Sequence, residues 1–269
     1  MRIALRIVAA TVRGAGDGST RIAELLKLHN AGGTFYFNLG PARLHRWLPA
    51  RDVRSRAHAA MRAVRDAGFE VGVYGWDPVR WRRRVGRGDY AWTEQAMRQA
   101  HAAFEEVFGD APRTHAAPGW QMNRHALRLT QRLAYDYASD TRGRGPFIPV
   151  WDAELVACPQ LPTTLPTIEE LLRYGGMRKS NLHERILDLC VDAPASGHVF
   201  ALSADRPRRS VASLERLIDV WRDLGYDIVS MRAIAESLEP SGLPHRAVAT
   251  QRLPGRSSPI ATDGIPFLS

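Results

Sequence analysis

The chain has 269 residues, 45% hydrophobic and 8% aromatic, so it can bury a core the size of one barrel domain or two smaller ones. No apolar run is long enough to cross a membrane, and the arginine-broken start is too short for a signal peptide, so we expect a cytoplasmic protein. The net charge of +9 would suit an anionic partner, but all except two of the 37 basic residues are arginines, a bias that a GC-rich genome can produce alone.

Short β-rich runs alternate with amphipathic segments of helical length, which is the pattern of a parallel α/β fold. The predicted strands cover residues 3–8, 34–38, 70–74, 115–117, 198–203 and 227–230. The predicted helices cover residues 20–30, with Ser19 or Thr20 as the N-cap, and residues 55–67, 93–108 and 211–224. Each helix stops near a glycine and leads to a strand, which predicts a (β/α) barrel or a doubly wound sheet. In both folds, ligands bind at the carboxyl ends of the strands.

The end of the chain has a different composition from the rest. We assign residues 1–238 to one domain and predict that residues 239–269, which lose the helical pattern and carry Pro, Gly and Ser, form a disordered tail.

Cys158 and Cys190 lack the spacing of a zinc or redox site, so we expect buried free thiols.

The predicted strand ends carry short motifs in a fixed order. They are LRI at 5–7 with TVRG at 11–14, FYFNLGP at 35–41, EVGVYGWD at 70–77, AAPGW at 116–120, YASDTRG at 137–143, LPT at 165–167 and VFALSAD at 199–205. Together they resemble the polysaccharide deacetylase (NodB-homology) family. Within it, they are most similar to the deformylases that act on formamido-arabinose linked to undecaprenyl phosphate. The resemblance extends over about residues 3–238 and implies a NodB-type distorted (β/α) barrel.

The resemblance also implies amide hydrolysis at a divalent metal, held by one aspartate and two histidines, with a second aspartate as base and a distal histidine as acid. In this sequence the metal aspartate position is Ala10, and the two metal histidine positions are Tyr74 and Pro78. The base position is Val8 and the acid position is Ser203.

The flanking residues fix this register. Residues 1–16 contain no Asp or Glu, and no histidine occurs between His58 and His101. An arginine that follows the Gly-Trp pair in the related enzymes is Gln121 here. We therefore predict that the chain binds no metal cofactor and that hydrolysis by the family's route is undetectable.

Several side chains near these positions could still bind a ligand. Trp76 and Trp120 could form the walls of a sugar pocket, although tryptophans near strand ends are as often part of a core. Asp140 and Arg142 could contact a sugar hydroxyl, but we favour a structural ion pair between them. Asp77 is the one acid beside the former metal site. The predicted ligand-binding residues are Thr11, Arg13, Tyr74, Trp76, Asp77, Arg82, Arg83, Arg84, Trp120, Asp140, Arg142 and Ser203.

Two further segments bear on the partner. Residues 80–87 are a cationic run that could bind a phosphate, rest on an anionic membrane leaflet or simply be solvated. Binding to nucleic acid is disfavoured, because no nucleic-acid-binding motif accompanies the charge. Residues 43–56, with Leu44, Trp47 and Leu48, could lie at a membrane interface. This segment is shorter than in the related deformylases, which argues against a lipid-linked substrate.

No replacement catalytic cluster is evident. His101, His115 and His125 lack ligand spacing, and Ser203 with Asp205 lacks a Gly-x-Ser-x-Gly context for a nucleophile. The sequence therefore predicts an inactive barrel that binds a phosphorylated or polyprenyl-linked amino sugar, or pairs with an active homologue, with contact to the inner face of the inner membrane. The alternatives are an active deformylase or deacetylase that uses an unrecognised site, and a basic scaffold on the membrane surface.

Overall fold

The computed structural model describes residues 1–40, 50–173, 181–191 and 193–267. The strands are β1 (Arg2–Ala9), β2 (Thr34–Phe37), β3 (Glu70–Val73), β4 (Thr114–His115), β5 (Tyr137–Ala138), β6 (Ile148–Trp151), β7 (Glu154–Leu155), β8 (His198–Ser203), β9 (Asp227–Val229), β10 (His245–Gln251) and β11 (Ile260–Pro266). The helices are α1 (Ser19–Leu28), α2 (Ala50–Asp66), α3 (Pro78–Arg84), α4 (Tyr90–Phe108), α5 (Arg124–Arg132), α6 (Ile168–Arg173), α7 (Leu182–Asp188), α8 (Pro207–Asp223) and α9 (Met231–Ala235).

The main sheet is parallel and curled, with helices around it. Its order is β5-β4-β3-β2-β1-β8, and β9 also pairs with β1. One edge of β1 is divided between two partners, because β2 pairs with residues 6–9 of β1 while β9 pairs with residues 2–4. This split distorts the barrel and confirms the predicted NodB-type (β/α) architecture.

The alternation of side chains along β1 explains why this strand lies at the centre. Ile3, Leu5 and Ile7 belong to the large core between the sheet and its helices, which also contains the fully buried Trp221 of α8. Ala4 and Val8 belong to a second cluster inside the barrel, because successive side chains of a strand point to opposite faces. The even-numbered residues of β1 therefore face the barrel interior.

The predicted strands and helices are confirmed, with ends that shift by a few residues. The prediction that Ser19 or Thr20 caps α1 is wrong. Residues Gly14–Gly18 already form a π-helical turn that continues into α1, so Gly18 occupies the N-cap and the Ser19 hydroxyl donates to the Gly14 carbonyl. Leu44, Trp47 and Leu48 lie outside the described residues.

The C-terminal segment is ordered, contrary to the prediction of a disordered tail after residue 238. Strands β10 and β11 form an antiparallel hairpin, and β10 adds in parallel to β6, which gives a second sheet of order β11-β10-β6-β7. Composition was misleading because most of the Pro, Gly and Ser residues lie just before β10 or in the turn between β10 and β11, while the buried Ile260 and Ala261 attach the hairpin to the rest of the molecule.

Two further observations concern the whole fold. Cys158 and Cys190 are buried free thiols, as predicted, and burial raises the pKa of the Cys158 thiol to about 12. Within the described ranges, no helix has both the length and the apolar character that crossing a bilayer requires.

Candidate ligand site

A cavity of about 740 Å³ lies at the carboxyl ends of the main-sheet strands. Its volume is typical of small-molecule sites. Val8 and Ala10 line it at and just after the end of β1, Tyr74 just after β3, Pro78 at the start of α3, and Ser203 at the end of β8. The structure therefore brings together all the positions at which the resemblance implies metal ligands, base and acid.

These positions offer a methyl and an isopropyl group, a phenol, a proline ring and one hydroxyl. Three of the four carboxylates on the cavity wall, those of Asp77, Glu170 and Asp205, accept hydrogen bonds from other protein groups. Asp77 accepts hydrogen bonds from the Val79 and Arg80 amides and so caps α3, and Asp205 accepts from the amide and hydroxyl of Thr11. Among the described residues there is no group of three His, Cys, Asp or Glu side chains that could hold a metal ion. The side chains present do not fit the divalent metal that the family uses.

A buried arginine lies at the deep end of this cavity. Arg6 shares the interior face of β1 with Val8 and Ala10, and exposure increases in that order, from 1% at Arg6 to 8% at Val8. The Arg6 guanidinium lies over the rings of Trp120, Tyr36 and Tyr74, at 4.8, 5.5 and 6.0 Å from their centroids. Burial lowers the pKa of Arg6 from its ordinary value, but an arginine stays protonated in proteins, so a positive charge lies inside the barrel.

Trp120 connects this arginine with two others. The Arg256 and Arg142 guanidinium groups lie 4.3 and 5.3 Å from the Trp120 ring centroid. The Trp120 backbone has a φ of +54°, a left-handed conformation that is costly for a bulky residue, and its indole N–H donates to the Thr163 hydroxyl at 3.0 Å. Strain of this kind is often found at functional sites, because the surrounding structure has to hold it.

One carboxylate neutralises part of this positive charge. Glu170 of α6 accepts two hydrogen bonds from Arg142, at 2.8 and 2.9 Å, and one from Arg256 at 2.6 Å. Its burial alone would raise the pKa of Glu170, but Arg142 and Arg256 lower it below the ordinary value. Arg256 comes from the turn between β10 and β11, so the C-terminal hairpin supplies part of the site.

The predicted site residues fall into two groups. The first group lines the cavity and consists of Thr11, Arg13, Tyr74, Asp77, Arg82, Trp120 and Ser203. Trp76 instead packs against the large core, because its side chain leaves the strand end on the helical side of the sheet. The predicted tryptophan pair is thus reduced to Trp120.

The predicted ion pair between Asp140 and Arg142 is wrong. Asp140 accepts from the His115 ring at 2.7 Å and from the Ala117 amide at 2.7 Å, while Arg142 pairs with Glu170. Each side chain therefore belongs to its own hydrogen-bond network, and the two do not form a pair.

Only the first of the three consecutive arginines reaches the cavity. Arg82 lines it, whereas Arg83 is exposed and outside the lining, and Arg84 lies over the Trp92 ring at 5.2 Å. The helical turn of α3 explains the difference, since successive side chains point about 100° apart. The prediction of a three-arginine phosphate site is therefore corrected to Arg82 alone.

Three residues of the site were not singled out from the sequence. Arg6 was noted only as part of a motif, Glu170 was hidden in an ordinary amphipathic helix, and Arg256 lay in the presumed tail. A signal was available for Arg6, because it is the one charged residue within an otherwise apolar strand pattern of residues 3–9.

Comparisons with known proteins agree with the fold. Residues 13–138 match the family model described as polysaccharide deacetylase. A Shewanella sediminis protein named as a probable 4-deoxy-4-formamido-L-arabinose-phosphoundecaprenol deformylase, ArnD, is 26% identical over 263 residues, covering 86% of this chain and 84% of that protein. A Wigglesworthia glossinidia brevipalpis protein with the same name is 27% identical over 194 residues, covering 71% and 67%.

Solved structures share the architecture. A crystal structure assigned as a polysaccharide deacetylase from Mycobacterium smegmatis has a TM-score of 0.67 and 18% identity, over 93% of this chain and 95% of that one. A CE4 family pseudoenzyme from Bacillus anthracis has a TM-score of 0.58 and 12% identity, over 87% of this chain and 65% of that one. At such identities the likeness shows the fold alone.

Proposed function

Because the chain belongs to the polysaccharide deacetylase family through the domain at residues 13–138, we propose that it binds a phosphorylated or lipid-linked amino sugar without hydrolysing it. The supporting observation is the shared cavity. Val8, Ala10, Tyr74, Pro78 and Ser203 line one space together, and none of them is a usual ligand of the family's metal. A binding or regulatory protein, acting alone or beside an active homologue, accounts for a retained cavity with these side chains.

The energetic argument concerns the activation of water. A bound divalent metal can lower the pKa of water from about 15.7 to about 7, which at 1.36 kcal/mol per unit bounds the effect at roughly 12 kcal/mol. Val8 and Ala10 present hydrocarbon where the resemblance implies the two carboxylates. The cavity therefore lacks both the family's metal ligands and a base in the expected place.

The names of the relatives and the side chains of the cavity wall support this ligand class. The two curated relatives are named as deformylases of an amino sugar joined to a polyprenyl phosphate. Aromatic faces suit the apolar face of a sugar ring, and Trp120 and Tyr74 supply them here. Arginine suits phosphate, and Arg13, Arg82 and Arg206 line the same cavity. With the net charge of +9, contact with the cytoplasmic face of an anionic membrane is part of this proposal.

Turnover and binding measured on the same preparation test the proposal. Purified protein is incubated with N-formyl and N-acetyl amino sugars and their 1-phosphates, with added zinc, and released formate or acetate is measured. We expect no release above the protein-free control, together with calorimetric binding of the sugar phosphate. A variant with Val8→Asp, Ala10→Asp, Tyr74→His and Pro78→His should gain stoichiometric zinc binding, because it restores the implied ligand set at the cavity.

Release of formate or acetate by the native protein would contradict the proposal and favour an active hydrolase. Loss of that turnover in Asp77→Asn or Ser203→Ala would then assign the reaction to this cavity. Salt-dependent liposome binding without any sugar preference would favour the membrane-surface scaffold instead.

A further inference from the structure

Arg6 lacks the partners that a buried charge normally has. Its only hydrogen bonds in the described part of the chain are long ones from one terminal nitrogen to the carbonyls of Ala117, at 3.5 Å, and Ser139, at 3.3 Å. Its Nε is buried and has no partner among the described residues. A buried ionised group without a carboxylate partner is costly, so its retention calls for a counter-charge.

The neighbouring carboxylates provide that counter-charge only in part, because the Asp140 charge attracts Arg6 without a hydrogen bond between the two side chains. Glu170 is shared between Arg142 and Arg256, and Asp140 is committed to His115 and the Ala117 amide. The guanidinium groups of Arg6, Arg142 and Arg256 thus surround the Trp120 ring. The Glu170 carboxylate forms ion pairs with the last two of them. The group retains an excess of positive charge, and like-charge repulsion from Arg256 adds to the burial that lowers the pKa of Arg6.

The wall above Arg6 would strengthen an interaction with an anion. Val8 and Ala10 follow Arg6 on the same face of β1 and line the cavity with hydrocarbon. Electrostatic interactions are stronger where apolar walls reduce the local dielectric constant. Along the rest of the wall, Arg13, Arg82 and Arg206 line the same cavity and can attract an anion to it.

We propose that Arg6 and Arg256, whose guanidinium groups both lie against the Trp120 ring, form a receptor for an oxyanion, the phosphate group of the cavity's ligand. The anion lies at the deep end of the cavity, beside Arg6, and supplies the charge that Arg6 lacks. Arginine presents a planar fork of donors that matches two phosphate oxygens, which a point charge does not. This inference deepens the proposed function and rests on it for the sugar part of the ligand only.

Calorimetric titration with three probes tests the receptor: inorganic phosphate, glucosamine 1-phosphate and glucosamine. The wild type is compared with Arg6→Met, Arg6→Lys and Arg256→Gln. The control is Arg132→Gln, since Arg132 also stacks on an aromatic ring, Tyr90 at 5.8 Å, but does not line the cavity. We expect both phosphate-bearing probes to bind the wild type and the control equally. Affinity should fall about tenfold to a hundredfold in Arg6→Met, as for the loss of a charge-assisted hydrogen-bonded pair.

Arg256→Gln, in a surface turn, should weaken phosphate binding even if Arg6→Met fails to fold, and Arg6→Lys should recover only part of the affinity. Unchanged phosphate affinity in Arg256→Gln and in a folded Arg6→Met would overturn the receptor, as would no binding of either phosphate probe to the wild type. Binding of glucosamine 1-phosphate that survives Arg6→Met would overturn the receptor but leave the proposed function standing. Arg6-dependent binding of inorganic phosphate, with no gain from the sugar, would support the receptor and count against the amino-sugar ligand.

Discussion

Arg142 and Arg6 are two buried arginines beside the same tryptophan ring, and their surroundings differ. Arg142 donates twice to Glu170 and also to the carbonyls of Thr163 and Leu165, all at 2.8 or 2.9 Å. Arg6 has two long contacts with carbonyl oxygens, one unpartnered nitrogen and three aromatic faces. The partners of Arg142 satisfy its buried charge, whereas the buried charge of Arg6 is left available for a ligand.

The difference indicates separate roles within one small region. A satisfied ion pair holds elements together, and here it ties the β5–β6 segment to α6. An unsatisfied buried charge adds little to stability, because nothing offsets its desolvation cost. The comparison therefore predicts opposite consequences when each arginine is removed, with stability affected at Arg142 and anion binding affected at Arg6.

The largest stability effect should come from Arg142→Met. It leaves Glu170 buried with only Arg256 as its cationic partner, and breaking a buried pair typically costs about 3–5 kcal/mol. Urea unfolding followed by circular dichroism measures this loss. In a Glu170→Gln background the same change should cost clearly less. If the losses of unfolding free energy in Arg142→Met and Glu170→Gln simply add in the double variant, the ion pair between these two residues is not the source of the loss.

The next largest effect should come from Gly255→Ala, which tests the turn that carries Arg256. Gly255 has a φ of +78°, and an added Cβ would lie 2.6 Å from the Glu170 carbonyl oxygen. Gly225→Ala is the matched control, with a φ of +79° and no atom within 4 Å of the added Cβ. The control should lose about 1–2 kcal/mol of unfolding free energy, because alanine is strained in the left-handed conformation. Gly255→Ala should lose at least about 1 kcal/mol more, because its Cβ also clashes with Glu170. Equal losses would show that the turn is not packed against α6.

Acid should act on the Arg142 region through Glu170. Because the pKa of Glu170 is lower in the folded state than its ordinary 4.5, the unfolded state takes up the proton first as the pH falls. The contribution of ionised Glu170 to the unfolding free energy is therefore complete above about pH 4.5. It is lost as the pH falls through the pKa of Glu170 in the folded state. Unfolding free energy measured from pH 6 to pH 3 should decline less steeply in Glu170→Gln than in the wild type. Parallel curves for the two proteins would refute this assignment.

Arg6→Met should have the smallest effect on stability. Replacing an unpaired buried charge by an apolar side chain of similar length removes a desolvation cost, so the unfolding free energy should change by less than about 1 kcal/mol or increase. Urea unfolding in phosphate-free buffer measures it. A loss as large as that of Arg142→Met would remove the distinction between the two arginines.

Much of this region could be predicted from the sequence, for identifiable reasons. The motifs around Val8, Ala10, Tyr74 and Ser203 fix positions at strand ends, and parallel strands bring such positions to one edge of the sheet. Side-chain direction was harder, since Trp76 and Arg83 follow the same motifs yet do not line the cavity. Long-range partners were beyond sequence patterns. Nothing local to Arg142 indicates Glu170, 28 positions later, or Arg256 from the C-terminal hairpin.

Zinc titration into the metal-free native protein, followed by calorimetry at neutral pH, tests the central claim most directly. The account predicts no stoichiometric binding to the native chain, because Ala10, Tyr74 and Pro78 stand at the positions of the family's metal ligands, and one zinc per chain in the fourfold restored variant. One zinc bound per native chain, lost on Asp77→Asn, would contradict it.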